Sequence, residues 1–407
     1  MRVLMLAWEY PPHIVGGMGK HVAELVPALD AAGVHVHVVS PLLRGGEPEE
    51  RLGQHSHISR VATPTMPDYG FISFTQETNR YLEAHARQLA AQHGPFDLIH
   101  GHDWLTSYAS VALKYAWRAP LLTTIHATER GRGRGRTEGD HAQTINGLEW
   151  WLAHESWRVL VCSEFMREQI NQYFGTPLDK ISVVANGVHI PQIEWSDDER
   201  QEFRRRYAAD DERLVFSVAR MVYEKGVQVL VEAIPRVLGQ RNDVKFVIAG
   251  LGPTADQLQA RTRTLFLDHR VFWTGFISDD ERDKLYAVAD AAVFPSLYEP
   301  FGIVALEAMA ACCPVIVSDT GGLREVVQLN ETGLTVFPDN PDSLAWGILQ
   351  TLDHPDDAQR RANAAHEVAQ HLYNWPTIAQ ETSAIYNHVW AEKATSAWAT
   401  NQETDEQ

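Results

Sequence analysis

A chain of 407 residues, 44% of them hydrophobic, with a formal charge of -18 at pH 7, is long enough for two large domains with buried cores. Its 53 acidic and 35 basic side chains exclude a general affinity for nucleic acid or anionic membranes, although a local basic patch can still hold one phosphate. Cys162, Cys312 and Cys313 show no metal-ligand spacing, and an adjacent pair is badly placed for a structural disulfide, so a reducing cytoplasm is the expected compartment. No run approaches the roughly 18 apolar residues that span a bilayer.

The first residues, "MRVLMLAW", carry one basic side chain and a short apolar stretch before "EYPP", and read as a first strand rather than a signal peptide. A helix from about Gly19 to Ala32 follows, then the apolar runs "VHVHVVS", "FDLIHG", "PLLTTIHA", "RVLVCS" and "ISVVA". Apolar runs alternating with amphipathic stretches predict a parallel sheet covered by helices. The charged stretch Glu194 to Arg213, with Ser196 and Glu199 spaced as a helix capping box, reads as the domain junction.

The alternation then restarts with "LVFSVAR", "VKFVIAG", "RVFWTG", "AAVFPS" and "CPVIVS". Between these runs the pattern predicts helices after Gly226, near Ala255 to Thr264, after a cap at Ser278 with Glu281, and after Gly302. The expected fold class is α/β, with two doubly wound units over residues 1 to 193 and 194 to 371, helix over 372 to 394, and a disordered tail over 395 to 407. In such sheets ligands bind beyond the carboxyl ends of the strands.

Three stretches at predicted strand ends carry candidate chemistry. In "EYPPHIVGGMGKH" the glycines Gly16, Gly17 and Gly19 allow a phosphate or sugar close to backbone N–H groups. About seven residues separate the strand from the first glycine, which argues against a dinucleotide fingerprint. In "SVARMVYEKG", Arg220 ends a strand and Lys225 stands beside Gly226 at a helix start, a pair of cations suited to a departing diphosphate. In "VFPSLYEPFGIVALEAMA", Gly302 opens a helix whose Ile303 and Val304 N–H groups can bind phosphate. Glu299 lies in the loop before that helix, and Glu307 lies on it among small apolar residues, where a carboxylate is costly unless something pairs with it.

Together with "HGHDW" (100 to 104), "TIHATE" (124 to 129), "VCSEFMREQI", "ANGV" (185 to 188), "GFIS" and "SDTGGLREVV", these motifs resemble retaining glycosyltransferases of the GT-B fold, most closely family 4, over nearly the whole length. The resemblance implies two Rossmann-like domains facing across a cleft, hinge closure, and a last helix returning to the N-terminal domain with Trp375 as a packing anchor. It implies that Glu307 binds the ribose of a nucleotide sugar and that Glu299 contacts the transferred sugar. Arg220 and Lys225 neutralise the diphosphate, and His126 lies beside the reacting sugar. Gly16, Gly17, Gly302, Ile303, Val304 and Phe276 belong to the donor side, and Asp103 and Glu129 to the acceptor side.

Retention in this family is explained by a front-face reaction in which the leaving phosphate helps take the acceptor proton, so no enzyme nucleophile is assigned. The chain has no Asp-x-Asp, and "HGHD" reads as a buried strand end, so the expected reaction uses no metal and no cofactor beyond the nucleotide sugar. The segments 8 to 29 and 102 to 132 most resemble α-glucan synthases of the glycogen type and relatives that extend glucose phosphate, favouring ADP- or UDP-glucose as donor and a (1→4)-α-glucan as acceptor. Two departures stand out: Ile14 and Val15 replace the lysine-bearing loop of many bacterial glycogen synthases, and His189 stands where aspartate is common.

"ERGRGRGRTEG", with four arginines and four glycines in eleven residues, lacks the interleaved aromatics of an RNA-binding tract. It is expected as a mobile loop and is a candidate contact for a phosphorylated acceptor. A nucleotide-sugar 2-epimerase and a non-catalytic nucleotide-sugar binder remain as competing classes. The sequence specifies no oligomeric state.

Overall fold

The structure, a computed structural model, describes residues 1–65 and 70–399. The chain divides into two compact units, Met1–Gly187 with Trp375–Gln407, and Val188–Asn374. The first unit holds an eight-stranded sheet in the order β3-β4-β2-β1-β5-β6-β7-β8, from β1 (Arg2–Leu6), β2 (His35–Leu42), β3 (Glu49–Arg51), β4 (His57–Ala62), β5 (Leu98–His102), β6 (Leu121–Thr124), β7 (Arg158–Val161) and β8 (Ile181–Val183). All neighbours pair in parallel except β3, which runs antiparallel to β4.

β1 shows why the sheet is covered on both faces. Successive side chains of a strand point to opposite faces. Val3 and Met5 enter a core with residues of the helices Gly17–Ala31 and Trp375–Ala394, while Leu4 and Leu6 enter a second core with Leu82, Ala86 and Leu89 of the helix Phe71–His93. An apolar run with no polar face is the consequence.

The second unit carries the sheet β11-β10-β9-β12-β13-β14, from β9 (Arg213–Val218), β10 (Val244–Ala249), β11 (Val271–Gly275), β12 (Ala291–Phe294), β13 (Val315–Ser318) and β14 (Leu334–Val336). Every pair is parallel. Strand order reverses between β2-β1 and β5 in the first sheet, and between β10-β9 and β12 in the second. Loops at the carboxyl ends of these neighbouring strands diverge and leave room for a ligand.

The local signals act where they stand. Ser196 and Glu199 form the capping box of the helix Asp197–Arg205, and the Ser278 side chain accepts from the Glu281 N–H at the start of Asp279–Val288. The charged stretch is not the junction itself: the chain changes unit at Gly187 and Val188, and that stretch builds a helix leading into β9. The chain returns to the first unit at Trp375, whose indole is buried and donates to Glu24 Oε2 at 2.7 Å. β3, β4 and β14 are absent from the sequence reading. β4 alternates polar His57 and Ser59 with apolar Ile58 and ends in a loop, while β3 and β14 have three residues each.

Residues 395–399 also differ from the expected disordered tail. Trp398 packs at 6.1 Å from Tyr115 and 5.9 Å from Trp157, and Arg118 donates to the Ala397 carbonyl at 3.2 Å. The remainder of that tail, 400–407, lies outside the described residues.

Candidate active site

In the second unit the switch point brings two loops together. The chain leaves β9 through Arg220, makes a 3-10 turn at Tyr223–Lys225, and starts the helix Val227–Leu238 at Gly226. It leaves β12 through Ser296 and Glu299. Leu297 and Tyr298 donate their N–H groups to the Glu224 carbonyl at 2.7 and 3.2 Å, tying the loops together. Gly226 has φ +69°, and a Cβ there would lie 1.8 Å from the Pro295 carbonyl oxygen. Only glycine permits this approach.

Lys225 Nζ consequently donates to Glu299 Oε2 at 2.7 Å, with Ser296 Oγ donating to the same oxygen at 3.2 Å. Glu299 is 7% exposed, and a charge so buried needs such partners. Arg220 Nη2 lies 3.4 Å from Glu224 Oε1. Both cations therefore stand at one site, each beside a carboxylate.

Glu299 also accepts, through its carbonyl, the Gly322 N–H at 2.9 Å, so "SDTGGL" buttresses "EPFG". Gly302, at φ +113°, caps the helix Ile303–Ala310 and would place a Cβ 2.5 Å from Leu323 Cδ2. The N–H groups of Ile303 and Val304 belong to the first turn, where the helix itself supplies no acceptor. Glu307 is 5% exposed, and its Oε2 lies 3.4 Å from Arg282 Nε. Burial opposes the Arg282 charge, but Glu307 and Asp283 outweigh it and hold the guanidinium pKa above its ordinary value. Tyr286, on the same helix as Arg282, donates to the Val304 carbonyl at 3.0 Å. Phe276 follows β11 and is 78% exposed.

In the first unit, Gly16 and Gly17 open the helix Gly17–Ala31. The Val15 and Gly16 N–H groups donate to Glu9 Oε2 at 2.8 and 3.0 Å, so a carboxylate of the chain already occupies donors expected to face a ligand. Beyond β5, Asp103 Oδ1 accepts the His126 N–H at 2.8 Å. Burial raises the Asp103 pKa to about 6 and lowers that of His126 to about 3. The His126 imidazole is neutral at pH 7, with its Nε2 3.0 Å from His102 Nδ1.

His21 joins them from the first helix, its ring 4.9 Å from that of His126 and its Nδ1 2.7 Å from Asn186 Oδ1. One nitrogen of each of His21, His102 and His126 lies within 4.8 Å of the others, so this group can accommodate a transition-metal ion as well as share protons internally. The reading of "HGHD" as a buried strand end covers His100 and His102 but misses the convergence of His21 and His126 upon it. Glu129 opens a helical turn, Glu129–Arg132, and donates its N–H to both Glu149 oxygens at 2.9 and 3.1 Å. Burial pushes Glu149 up to about 8. The arginine segment is accordingly more folded than a mobile loop: Arg130 donates to the Gly135 carbonyl at 3.0 Å and lies 4.5 Å from the Tyr173 ring.

Sequence reasoning thus missed Glu9, His21, Glu149 and Arg282. It also passed over Gly250-Leu251-Gly252 after β10, where Met221 N–H donates to the Leu251 carbonyl and Thr254 N–H to the Met221 carbonyl. Two glycines at a strand's carboxyl end were a legible signal there. His21, Glu149 and Arg282 depend on partners distant in sequence, whereas Glu9 accepts from Val15 and Gly16, six and seven residues further on.

Two doubly wound units, with cations and carboxylates at a switch point, define a sugar transferase of the GT-B fold. Residues 15–191 match the model described as Glycosyltransferase Family 4, and residues 198–368 match Glycosyl transferases group 1. The chain belongs to glycosyltransferase family 4. It is 36% identical to an uncharacterized glycosyltransferase of Methanocaldococcus jannaschii, covering 95% of this chain and 98% of that one. It is 34% identical to a glycogen synthase of Mycobacterium tuberculosis, covering 95% and 94%. Among solved structures, sucrose-phosphate synthase from Thermosynechococcus elongatus has a TM-score of 0.82 at 24% identity, covering 96% of this chain and 99% of that chain. Anabaena HepE in complex with UDP and glucose has a TM-score of 0.77 at 21% identity, covering 95% and 100%.

Proposed function

We propose that this glycosyltransferase moves a glucosyl unit from ADP- or UDP-glucose to a (1→4)-α-glucan, with retention of configuration and without a metal ion. The observation that carries the reading is the Lys225–Glu299 contact at the β9/β12 switch point, with Arg220 on the same loop. Glucan as acceptor is supported by the 34% identity to a glycogen synthase, and a glucose donor with a UDP carrier by the likeness to HepE, crystallised with UDP and glucose. That none of Cys162, Cys312 and Cys313 is in a disulfide fits the cytoplasm as the compartment.

In this reading Arg220 and Lys225 stabilise the charge that develops on the departing diphosphate, helped by the Ile303 and Val304 N–H groups at the helix N-terminus. Glu299 accepts hydrogen bonds from hydroxyls of the transferred sugar, and Glu307 from the ribose, with Phe276 beside the base. Neutral His126 hydrogen-bonds the sugar, and Gly16 and Gly17 allow it near the first helix. Asp103 and Glu129 serve the acceptor side. The leaving phosphate helps take the acceptor proton, so the chain needs no nucleophile and the product keeps the anomeric configuration.

A phosphorylated sugar is the second acceptor reading, favoured by the arginines of residues 130–136 beside Glu129. Purified protein is incubated with ADP-glucose, UDP-glucose or GDP-mannose, with glycogen, maltooligosaccharide or glucose 1-phosphate, in the presence of a chelator. Nucleoside diphosphate release that depends on glucan supports the first reading, and release that depends on the sugar phosphate supports the second. Loss of the donor without acceptor dependence, or epimerised nucleotide sugar, would count against transfer itself.

A further inference from the structure

Three imidazoles from three elements meet at the carboxyl ends of β5 and β6. His102 is the last residue of β5, His126 lies two residues beyond the end of β6, and His21 comes from the helix Gly17–Ala31. Register brings the first two together: His102 is the partner of Thr124 in the β5–β6 ladder. His126 Nε2 lies 3.0 Å from His102 Nδ1, and one nitrogen of each of the three residues lies within 4.8 Å of the others.

Hydrogen bonding locates the lone pairs. His21 Nδ1 donates to Oδ1 of the buried Asn186 at 2.7 Å, which leaves the lone pair on Nε2. Burial first of all keeps the three rings neutral at pH 7, so His102 Nδ1 and His126 Nε2 share one proton between them. His102 Nε2 is buried and has no hydrogen-bond partner among the described residues, so the His102 proton can sit there without breaking a further bond. With each ring's proton on its outer nitrogen, two lone pairs face each other where the shared proton was. Bonds of about 2.0–2.1 Å from nitrogen to tetrahedral zinc put neighbouring ligand atoms about 3.3 Å apart. The observed separations, 3.0 Å for one pair and no more than 4.8 Å for the others, bracket that value.

We propose that His21, His102 and His126 form a site for a first-row divalent metal ion of the zinc type, with three imidazole ligands and an open fourth position, and that the bound ion inhibits the enzyme. Imidazole selects such an ion over magnesium or calcium, which take oxygen ligands. His126 alone of the three is not fully buried, so the ion and its fourth ligand reach the site past that ring. The inhibition rests on the reading of His126 as a contact of the transferred sugar, because a nitrogen bound to the ion cannot also hydrogen-bond the sugar; the binding does not. Asn186 orients His21 from behind, as outer partners of metal ligands do, whereas His102 Nε2 lacks such a partner. One outer partner is worth about 10–100-fold in affinity, so the expected Kd is micromolar rather than nanomolar.

The test is calorimetric titration of the chelator-treated full chain at pH 7.5 with zinc sulfate and, separately, magnesium chloride. We expect one equivalent of zinc with a micromolar Kd, no comparable magnesium binding, and at least tenfold weaker zinc binding in His21→Asn, His102→Asn and His126→Asn. Melts without metal identify the variants that fold, and zinc should raise the unfolding temperature of the wild type more than that of any of them. No stoichiometric uptake by the wild type, or uptake unchanged in the folded variants, overturns the proposal. Zinc should also lower nucleoside diphosphate release by the wild type in step with occupancy, and a chelator should restore it; undiminished release at saturating zinc overturns the inhibition. Release from no donor even in the chelator removes the glucosyl-transfer reading and the inhibition with it, while the titration still decides the site.

Discussion

Lys225 Nζ lies 2.7 Å from Glu299 Oε2, a contact that joins the ends of β9 and β12, which are neighbours in the sheet but far apart in the chain. The contact gives a nearly buried carboxylate a partner and holds a cation where the sheet changes direction. Lys225→Ala should lower kcat by about 10²–10³-fold, the range seen when one donor to a developing negative charge is removed. Glu299→Gln should lower turnover as well. Steady-state kinetics of both single variants and the double variant measure their coupling, and additive effects would mean that the two act independently.

Glu307 and Arg282 make the second pairing. Glu307→Ala removes the proposed ribose acceptor and should raise the donor KM by at least about tenfold, the value of one charged hydrogen bond at about 1.4 kcal/mol per decade. Arg282→Ala should raise it too, because the buried Glu307 carboxylate then loses the cation that lies 3.4 Å from it and is no longer held in place for the ribose. Donor KM of the two single variants and the double variant checks this, and an unchanged KM in Arg282→Ala would show that Arg282 does not position Glu307.

Two glycines separate steric from functional need. Gly226→Ala meets both a positive φ and a carbonyl oxygen 1.8 Å from its Cβ, so the loops must move and stability should fall by several kcal/mol. Gly16→Ala meets nothing within 4 Å and its φ is -156°, so thermal unfolding should change little. A lower kcat/KM in Gly16→Ala at unchanged stability would show that the donor approaches this turn.

The buried histidines and acids act oppositely with pH. His21, His100 and His126 are lowered to about 3, by burial first, so below their ordinary value of 6.5 the unfolded chain binds more protons than the folded one. Stability is lost as pH falls from 6.5 toward 3. Glu149, raised to about 8 by burial, holds its proton in the folded state where the unfolded chain has lost it, so its stabilising contribution disappears as pH rises from 4.5 through 8. Glu149→Gln keeps an acceptor for the Glu129 N–H and should unfold at a higher temperature than the wild type at pH 9, with a smaller difference at pH 5. Equal differences at both pH values would mean that Glu149 is ionised throughout.

Trp375 anchors the last helix in the first unit. It is 3% exposed, donates to Glu24, and leaves no room for a Cβ on Gly187, which would lie 2.5 Å from the indole. Trp375→Ala should cost about 3–5 kcal/mol. Chemical denaturation checks this, with Trp375→Phe expected to recover most of the packing but not the hydrogen bond.

Much of this molecule is written in short stretches. Ser196 with Glu199 and Ser278 with Glu281 set helix starts, because a cap involves residues three apart. Val3 to Leu6 specify a strand covered on both faces, because every side chain is apolar. Arg220, Lys225 and Gly302 were legible as site candidates because each stands at a predicted strand end or helix start, and Glu307 because it is a carboxylate among small apolar helix residues. What the chain alone left open was pairing. Whether Glu307 meets Arg282 and whether His21 reaches His126 depend on the order of strands in each sheet and the packing of helices on it. Those contacts join residues far apart in sequence, and such proximity has no local signature: the cost of burying a carboxylate or an imidazole is fixed by its composition, but the partner that offsets it is chosen only when the sheet closes around it.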